Sequence, residues 1–262
     1  MAELPLNQIL CGDCVDVLES FPDESVDMIL TSPPYGDLRQ YMGFTLVFEE
    51  LARELVCVLK EGGVLVWVVG DKTSNGTESG ESFRQALFFM GLGLNLHDTM
   101  IYHKKTPPLT HDRYEQEFEY MFILSKGKPK TFNPLLVDKK YQDIRLKNQF
   151  TRNKTNEHDI GFRSDKKQKI KGNVWEYAVG GGKSTLDKIA FQHPAIFPEK
   201  LAEDHILSWS NVGDVVLDPM AGSGTTLKMA QKHNRHFIGI EISPEYVEIA
   251  HNRLNRNQLT LP

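Results

Sequence analysis

Cysteine is scarce in this chain. Among 262 residues there are three, Cys11, Cys14 and Cys57, an odd and thin set that excludes a disulfide scaffold and suits a reducing cytoplasm. Cys11-Gly-Asp-Cys14 has the spacing of half a zinc site. No second Cys or His pair answers it, and structural zinc takes four ligands, so all three are read as ordinary thiols and no metal is expected. Long apolar runs are missing too. The longest, Val64 to Val69, is far too short to span a bilayer, and Met1 to Leu6 has neither the basic start nor the apolar stretch of a secretory signal. Internal repeats are absent. Charge of one sign is also in short supply: the net charge of −5 says nothing by itself for an anionic partner. What is present, with 40% apolar residues, suffices for one large or two small domains with buried cores.

The distribution of charge is more informative than its sum. Between Lys126 and Lys171 there are 14 Lys and Arg against 5 Asp and Glu, a surplus of nine positive charges, so the remainder carries −14. A basic segment on an acidic body fits a protein that docks an anionic polymer on one face; a solvated lysine-rich loop is the alternative. Phe132, Asn133, Tyr141, Asn148, Gln149, Phe150, Asn153, Asn156 and Phe162 interleave the charges. Such groups stack on bases or bond base edges, which favours contact with nucleic acid.

Two strand–helix regions flank this middle. Asp27 to Leu30 reads as a buried strand, Thr45 to Leu59 as a helix with apolar Leu46, Leu51, Leu55 and Leu59 ended by Glu61-Gly62-Gly63, and Val64 to Gly70 as a second buried strand. A helix is expected over 81–90 and a strand over 120–124, after a stretch that Pro107 and Pro108 hold extended. Beyond Pro194 the pattern predicts a helix over 198–209, a strand over 215–218, a helix over 225–233, a strand over 237–241, and a last helix capped by Ser243 with Pro244 in its first turn. Alternating strands and helices predict an α/β fold: an open, mostly parallel sheet with helices on both faces. The expected organisation is a first half of the main domain over 1–125, a basic insertion over 126–190 and a second half over 191–262.

Two loops carry the chemistry. Val215 to Asp218 runs into Pro219-Met220-Ala221-Gly222-Ser223-Gly224-Thr225, where glycines let backbone approach a ligand and the following helix offers free N–H groups to an anion. Glu241 closes the next strand, 23 residues on, where a carboxylate is the usual partner of a ribose diol. A dinucleotide fingerprint needs a third glycine at position 227, which is Leu, so a nucleoside fits and a dehydrogenase does not. Gly182-Lys183-Ser184 imitates the end of a phosphate-binding P-loop, but the glycine required five positions earlier is Tyr177. The other loop, Thr31-Ser32-Pro33-Pro34-Tyr35, follows the first strand. An exocyclic amine is a poor nucleophile because its lone pair is delocalised into the ring. A Ser32 oxygen and a rigidly aimed Pro33 carbonyl would accept its hydrogens and help the nitrogen pyramidalise; Tyr35 offers a face for a flipped base.

These motifs resemble the S-adenosylmethionine-dependent amino-methyltransferases of DNA, in the permuted beta subgroup whose catalytic loop precedes the cofactor loop. Gly12-Asp13-Cys14 matches the family's N-terminal cofactor motif, whose Asp holds the adenine amino group. Thr31 to Tyr35 matches the catalytic loop and Leu59 to Gly63 the turn behind it. Lys104-Lys105-Thr-Pro-Pro108 with Arg113 resembles the stretch near the target base. His193 to Phe197-Pro198 matches the motif opening the cofactor-side helix, and Val216 to Thr225 and Ile238 to Glu241-Ile242 match the remaining cofactor motifs. The resemblance implies a Rossmann-like methyltransferase fold with S-adenosylmethionine as cofactor. Double-stranded DNA is the implied partner, read by the basic segment through Lys139, Lys140, Arg145, Lys147, Arg152, Lys154, Arg163, Lys166 and Lys167.

Direct transfer to an amino nitrogen of a flipped base is expected, without a covalent enzyme intermediate. Carbon-5 methylation needs a cysteine nucleophile, and Cys57 is read as helix core. In this family Ser at the first loop position goes most often with cytosine N4 and Asp with adenine N6, so N4-cytosine is the leading reading and N6-adenine the runner-up. A cytoplasmic enzyme of a prokaryote, phage or plasmid is implied, part of or related to a restriction-modification system whose cognate restriction endonuclease would act on the same sequence, as a monomer or homodimer. A DNA-binding regulator that has lost catalysis, or a protein or RNA methyltransferase, are the readings from other classes; the intact catalytic loop opposes the first and Ser32 in place of Asn the second.

Overall fold

The computed structural model of the chain describes residues 3–34, 47–104, 114–139, 149–152, 158–161, 167–178 and 184–258. Contacts divide it into a body, 1–133 with 173–262, and a smaller unit, 134–172. The compact insertion is therefore narrower than the expected 126–190.

The body is built on an eight-stranded sheet. In chain order its strands are β1 (Gln8–Cys11), β2 (Val26–Thr31), β3 (Leu59–Val69), β6 (Asn95–His103), β7 (Phe118–Ser125), β12 (Val174–Glu176), β13 (Val215–Asp218) and β14 (His236–Glu241). Between β3 and β6 a short hairpin, β4 (Thr73–Ser74) and β5 (Thr77–Glu78), stands apart from the sheet. The spatial order is β1-β14-β13-β2-β3-β7-β6-β12. Every pairing is parallel except those of β7, which runs antiparallel to both β3 and β6. Buried strands with apolar residues on both faces make a sheet that needs cover on both sides: β13 is wholly buried, as are Met28 to Thr31 of β2 and Gly63 to Val69 of β3.

Helices α1 (Cys14–Leu18), α2 (Phe48–Val58) and α3 (Glu81–Gly91) cover one face, and α4 (Glu199–Trp209), α5 (Thr225–Lys232) and α6 (Pro244–Gln258) the other. Side-chain alternation assigns the faces: Ile29, Leu65, Trp67 and Val69 share the first core with Leu51, Leu55 and Phe89, while Met28, Val66 and Val68 point away from it. Trp67 is fully buried there, its indole N–H donating to Gln85 at 2.8 Å. The handedness of crossovers explains the split. From β2 the chain moves through α2 to β3 on one side; from β13 it moves through α5 to β14 on the other. Two right-handed crossovers in opposite directions place their helices on opposite faces.

Strands β1 and β6 and helix α1 lie where the sequence pattern had suggested no element. β1 pairs with β14, Gln8 opposite Ile238, a partnership invisible to any local window. The turn expected at Glu61-Gly62-Gly63 is instead part of β3, which starts at Leu59 directly after α2. Gly62 sits at φ 79°, and a Cβ on Gly63 would stand 2.7 Å from Leu59 Cδ1; glycine lets the turn persist as a bulge within the strand, where pairing with β2 jumps from Val26–Leu59 to Met28–Val64. Lys126 closes the helix end, its Nζ donating to the carbonyls of Val56 (3.2 Å) and Leu59 (3.1 Å). Lys126, Lys128 and Lys130 thus follow the end of β7 beside Val64, at the amino ends of the parallel strands. Their charge, counted in the basic segment, belongs to the side of the sheet away from both loops. Cys57, read as core, is exposed with its thiol donating to Asp23 Oδ1 at 3.1 Å. At 100° per residue it falls opposite the Leu51 and Leu55 stripe.

β12 returns the chain from the insertion into the sheet. Trp175 lies against the His205 ring at 4.8 Å and Tyr177 donates to Asp204 Oδ2 at 2.8 Å, both on α4. Within the smaller unit, β8 (Leu136–Asp138) pairs antiparallel with β11 (Gln168–Ile170), and β9 (Gln149–Arg152) with β10 (His158–Gly161). No helix among the described residues is long and apolar enough to cross a membrane.

Candidate active site

β13 and β2 are neighbours, with Val216 opposite Met28 and Leu217 opposite Ile29. The two loops separated by nearly the whole chain therefore leave the carboxyl ends of adjacent parallel strands. This is also where the crossovers diverge, the switch point at which open α/β sheets bind ligands. β14 and β1 continue the row, so that Ser32, Asp218, Glu241 and Asp13 stand at the ends of four consecutive strands.

Asp13 is the N-cap of α1, its Oδ1 accepting from Val15 N at 2.8 Å. The residue is exposed, and Oδ2 has no hydrogen-bond partner among the described residues. Cys14 differs: its side chain packs into the core, and burial, with Asp13 beside it, pushes the thiol up to about 12. Any contact from Cys14 to a ligand is through its backbone.

Glu241 holds the glycine-rich turn to the end of β14. Its Oε2 accepts from Gly222 N at 2.8 Å and its Oε1 from Ser243 N at 3.0 Å. Burial raises its carboxyl above the usual range, against the pull of these N–H groups. A carboxylate has about four acceptor positions; the backbone N–H groups of Gly222, Ser243 and Ile242 draw on them, and the remaining lone-pair capacity suits a diol hydroxyl. Asp218 is buried more deeply. Burial pushes it to about 6, although the Thr226 and Thr31 hydroxyls and Met220 N–H, at 3.2 Å, oppose the rise.

The glycines serve packing more than ligand approach. Gly222 and Gly224 lie at φ 50° and 75°, and a Cβ would meet His193 Nε2 at 3.0 Å in the first and Ala250 Cβ at 2.8 Å in the second. His193 is buried, bonded through Nδ1 to Ala195 and set edge-on to Tyr246 at 4.4 Å. Gly224 is the N-cap of α5 with no side-chain cap, so the first N–H groups of the helix are open to an anion. Pro219, Gly222, Ser223 and Thr225 are buried, Met220 and Ile242 partly so; Phe197 is half-buried and Pro198 buried at the start of α4. The Ser223 and Thr225 hydroxyls turn inward to Arg253, a residue the motif pattern does not mark.

On the catalytic side, Pro33 is buried, and Ser32 and Pro34 are half-buried beyond β2. Tyr35 lies outside the described residues, as do Lys105, Arg113, Lys140, Arg145, Lys147, Lys154, Arg163 and Lys166 and the P-loop imitation at Gly182-Lys183. Lys104 is paired with the Glu119 carboxylate, largely out of solvent, so its charge is already matched. In the smaller unit Lys167 is exposed, Lys139 is half-buried with its N–H bonded to the Lys167 carbonyl, and Arg152 ends β9.

The donor set fits a nucleoside bearing an amino group, a diol and an anionic tail: the exposed Asp13, the Glu241 carboxylate at the end of β14 and the uncapped α5. The model of a family described as DNA methylase matches residues 26–252, and the chain belongs to this N6/N4 family of S-adenosylmethionine-dependent DNA methyltransferases, in its permuted form. The orphan methyltransferase M.BamHII of Bacillus amyloliquefaciens is 57% identical over 242 residues, covering 90% of this chain and 91% of that one. Among solved structures, the Thermus thermophilus modification methylase candidate TTHA0409, complexed with S-adenosyl-L-methionine, superposes with a TM-score of 0.66 at 27% identity, over 97% of this chain and 95% of that one. The cytosine-N4-specific PvuII DNA methyltransferase, at 22% identity, shares the fold with a TM-score of 0.69 over 94% of this chain and 85% of its own.

Proposed function

We propose that the enzyme methylates the exocyclic N4 amine of a cytosine flipped out of duplex DNA. The observation that carries the reading is the β2–β13 pairing, which sets Ser32 and Pro33 beside the cofactor turn. When bound, S-adenosylmethionine supplies an electrophilic methyl on its sulfonium. The chain supplies the rest. Asp13 takes the adenine amino group, Glu241 the ribose diol, and the backbone from Asp218 to Thr225 with the α5 N-terminus lines the cofactor; Phe197 and Pro198 form a further wall. Ser32 Oγ and the Pro33 carbonyl accept the hydrogens of the target amine, drawing its lone pair out of conjugation, and Tyr35 stacks on the base. Ser32 is a neutral acceptor, the variant that goes most often with cytosine in this family.

The basic segment, from Lys139 to Lys167 and with Lys105 and Arg113, reads duplex DNA in the cytoplasm of a bacterium. The Bacillus relative is named an orphan methyltransferase, which supports a solitary modification enzyme rather than half of a restriction pair. The test is to incubate unmethylated DNA with enzyme and S-adenosylmethionine and identify the modified nucleoside by mass spectrometry. N4-methylcytosine is expected. N6-methyladenine would move the reading to the adenine branch of the family, and neither product would overturn it.

A further inference from the structure

Beneath the cofactor turn lies a buried ion cluster that the methylation chemistry does not call on. Arg253, on α6, is fully buried. Its Nη1 donates to the Ser223 carbonyl at 2.6 Å, Ser223 Oγ at 2.9 Å and Thr225 Oγ1 at 3.0 Å. Nη2 donates to Glu199 Oε1 at 2.8 Å and Nε to Asp187 Oδ2 at 3.2 Å. Lys228, in α5, reaches the same two carboxylates at 2.8 and 3.2 Å, and Thr185 Oγ1 donates to Glu199 at 2.6 Å. Two cations and two anions balance. Burial works against both carboxyls, yet Lys228 and Arg253 hold them below their ordinary range.

A guanidinium without solvent is tolerated only when its donors are satisfied, and here they go to three separate segments. One is the cofactor turn itself. Another is Glu199, directly after Phe197-Pro198, the opposing wall. The third is Asp187, in the stretch before the 3-10 turn Lys188–Gln192. The turn has two left-handed glycines and, inside it, only the bonds from Gly224 N to Ala221 O at 2.7 Å and from Met220 N to Asp218 Oδ1 at 3.2 Å among the described residues. Its shape must therefore be imposed from outside. β14 does so on one side, through the Ile240 carbonyl, which accepts from Ala221 N at 2.8 Å, and through Glu241; Arg253 does so on the other.

We propose that Arg253 is a positioning residue of the cofactor site: it locks the 222–225 turn and fixes its spacing from the Phe197-Pro198 wall, so that cofactor affinity depends on a side chain buried beneath the turn. The inference rests on the cofactor assignment and is independent of which base is methylated.

The test measures S-adenosylhomocysteine affinity by calorimetry on the full chain without DNA. The variants are Arg253→Met, Arg253→Lys, Glu199→Gln and the Arg253→Met/Glu199→Gln double variant, with thermal unfolding followed in parallel. Arg253→Met is expected to weaken binding about 10- to 100-fold, the loss typical when hydrogen bonds from a charged donor are removed. Its kcat at saturating cofactor and its KM for DNA should be largely retained. Lysine keeps the charge beside the carboxylates but not the fork that reaches the turn, so Arg253→Lys should retain most of the thermal stability and still bind weakly. Adding Glu199→Gln to Arg253→Met should cost little more, because both act through one cluster. If Arg253→Met does not fold, Arg253→Lys decides. A folded Arg253→Lys protein with wild-type affinity, or a fall in kcat with affinity unchanged, overturns the proposal.

Discussion

Asp218 carries a stability penalty whose pH dependence can be worked out from its surroundings. The residue is 5% exposed at the end of β13, and burial raises its carboxyl from 3.8 to about 6. In the unfolded chain the group ionises near its ordinary value. Between the two values the native state holds a proton that the unfolded state has lost, so stability falls as pH rises through this window. A shift of two units is about 3 kcal/mol, fully expressed above pH ~7 and absent below pH ~3. Asp218→Asn keeps an oxygen to accept the Met220 N–H and cannot ionise, and its amide can donate to the Thr31 or Thr226 hydroxyl. The variant should therefore be more stable than wild type at pH 8 by about 3 kcal/mol, roughly 6–12 °C in melting temperature for a chain of this size. The gap should shrink to about 1 kcal/mol at pH ~4.5 and close near pH ~3. Thermal unfolding followed by circular dichroism across that range measures both curves. A variant no more stable than wild type at pH 8, or an advantage that does not change with pH, would refute the reasoning. The result also bears on function, since a carboxylate kept in a destabilising place beside the cofactor turn is the usual form of a stability–activity trade.

Other outcomes follow from the same geometry. Ser32→Ala and Tyr35→Ala are each expected to lower methyl transfer by about 10²–10³-fold, the typical cost of a lost transition-state contact, with S-adenosylhomocysteine affinity unchanged; equal activity in a tritium-transfer assay would sink the assignment. Gly224→Ala places a Cβ 2.8 Å from that of Ala250 at φ 75°, and the combined clash and left-handed strain should cost about 2–4 kcal/mol. Gly76→Ala, with φ 76° and nothing within 4 Å, should lose only the backbone share of about 1–2 kcal/mol, so equal melting temperatures for the two would remove the packing argument. In thiol labelling, the exposed Cys11 and Cys57 should react while Cys14, pushed up to about 12 by burial and Asp13, stays protected until the protein unfolds. Fast modification of all three would show that the first core is not closed.

Much of the core was legible because buried parallel strands and amphipathic helices leave periodic signatures. Val215–Asp218 appears where the pattern placed it, and the helix expected over 81–90 is observed over Glu81–Gly91. β1 was not legible: four residues carry no period, and their partner lies in β14 at the other end of the chain. β6 was hidden because its first five residues are mostly exposed and polar. Cys57 was misjudged because an apolar neighbourhood in sequence says nothing about the side of the helix a residue occupies. Lys126, Lys128 and Lys130 were counted with the basic segment because a charge sum has no direction; antiparallel β7 carries them to the opposite end of the sheet.

The sequence by itself determined the residue types and local conformation of each loop. Ser32-Pro33-Pro34-Tyr35 and the turn from Asp218 to Thr225 are local arrangements, and proline rigidity, glycine conformation and the residue types at fixed spacing are properties of short stretches. Tertiary structure alone decided that the two loops lie side by side, because β2 and β13 meet only when the sheet assembles and their crossovers depart in opposite directions. It alone also showed what shapes the glycine-rich turn. Glu241, Arg253, Glu199 and Asp187 converge there from four separate segments, and convergence in space leaves no period, spacing or composition for a sequence to display.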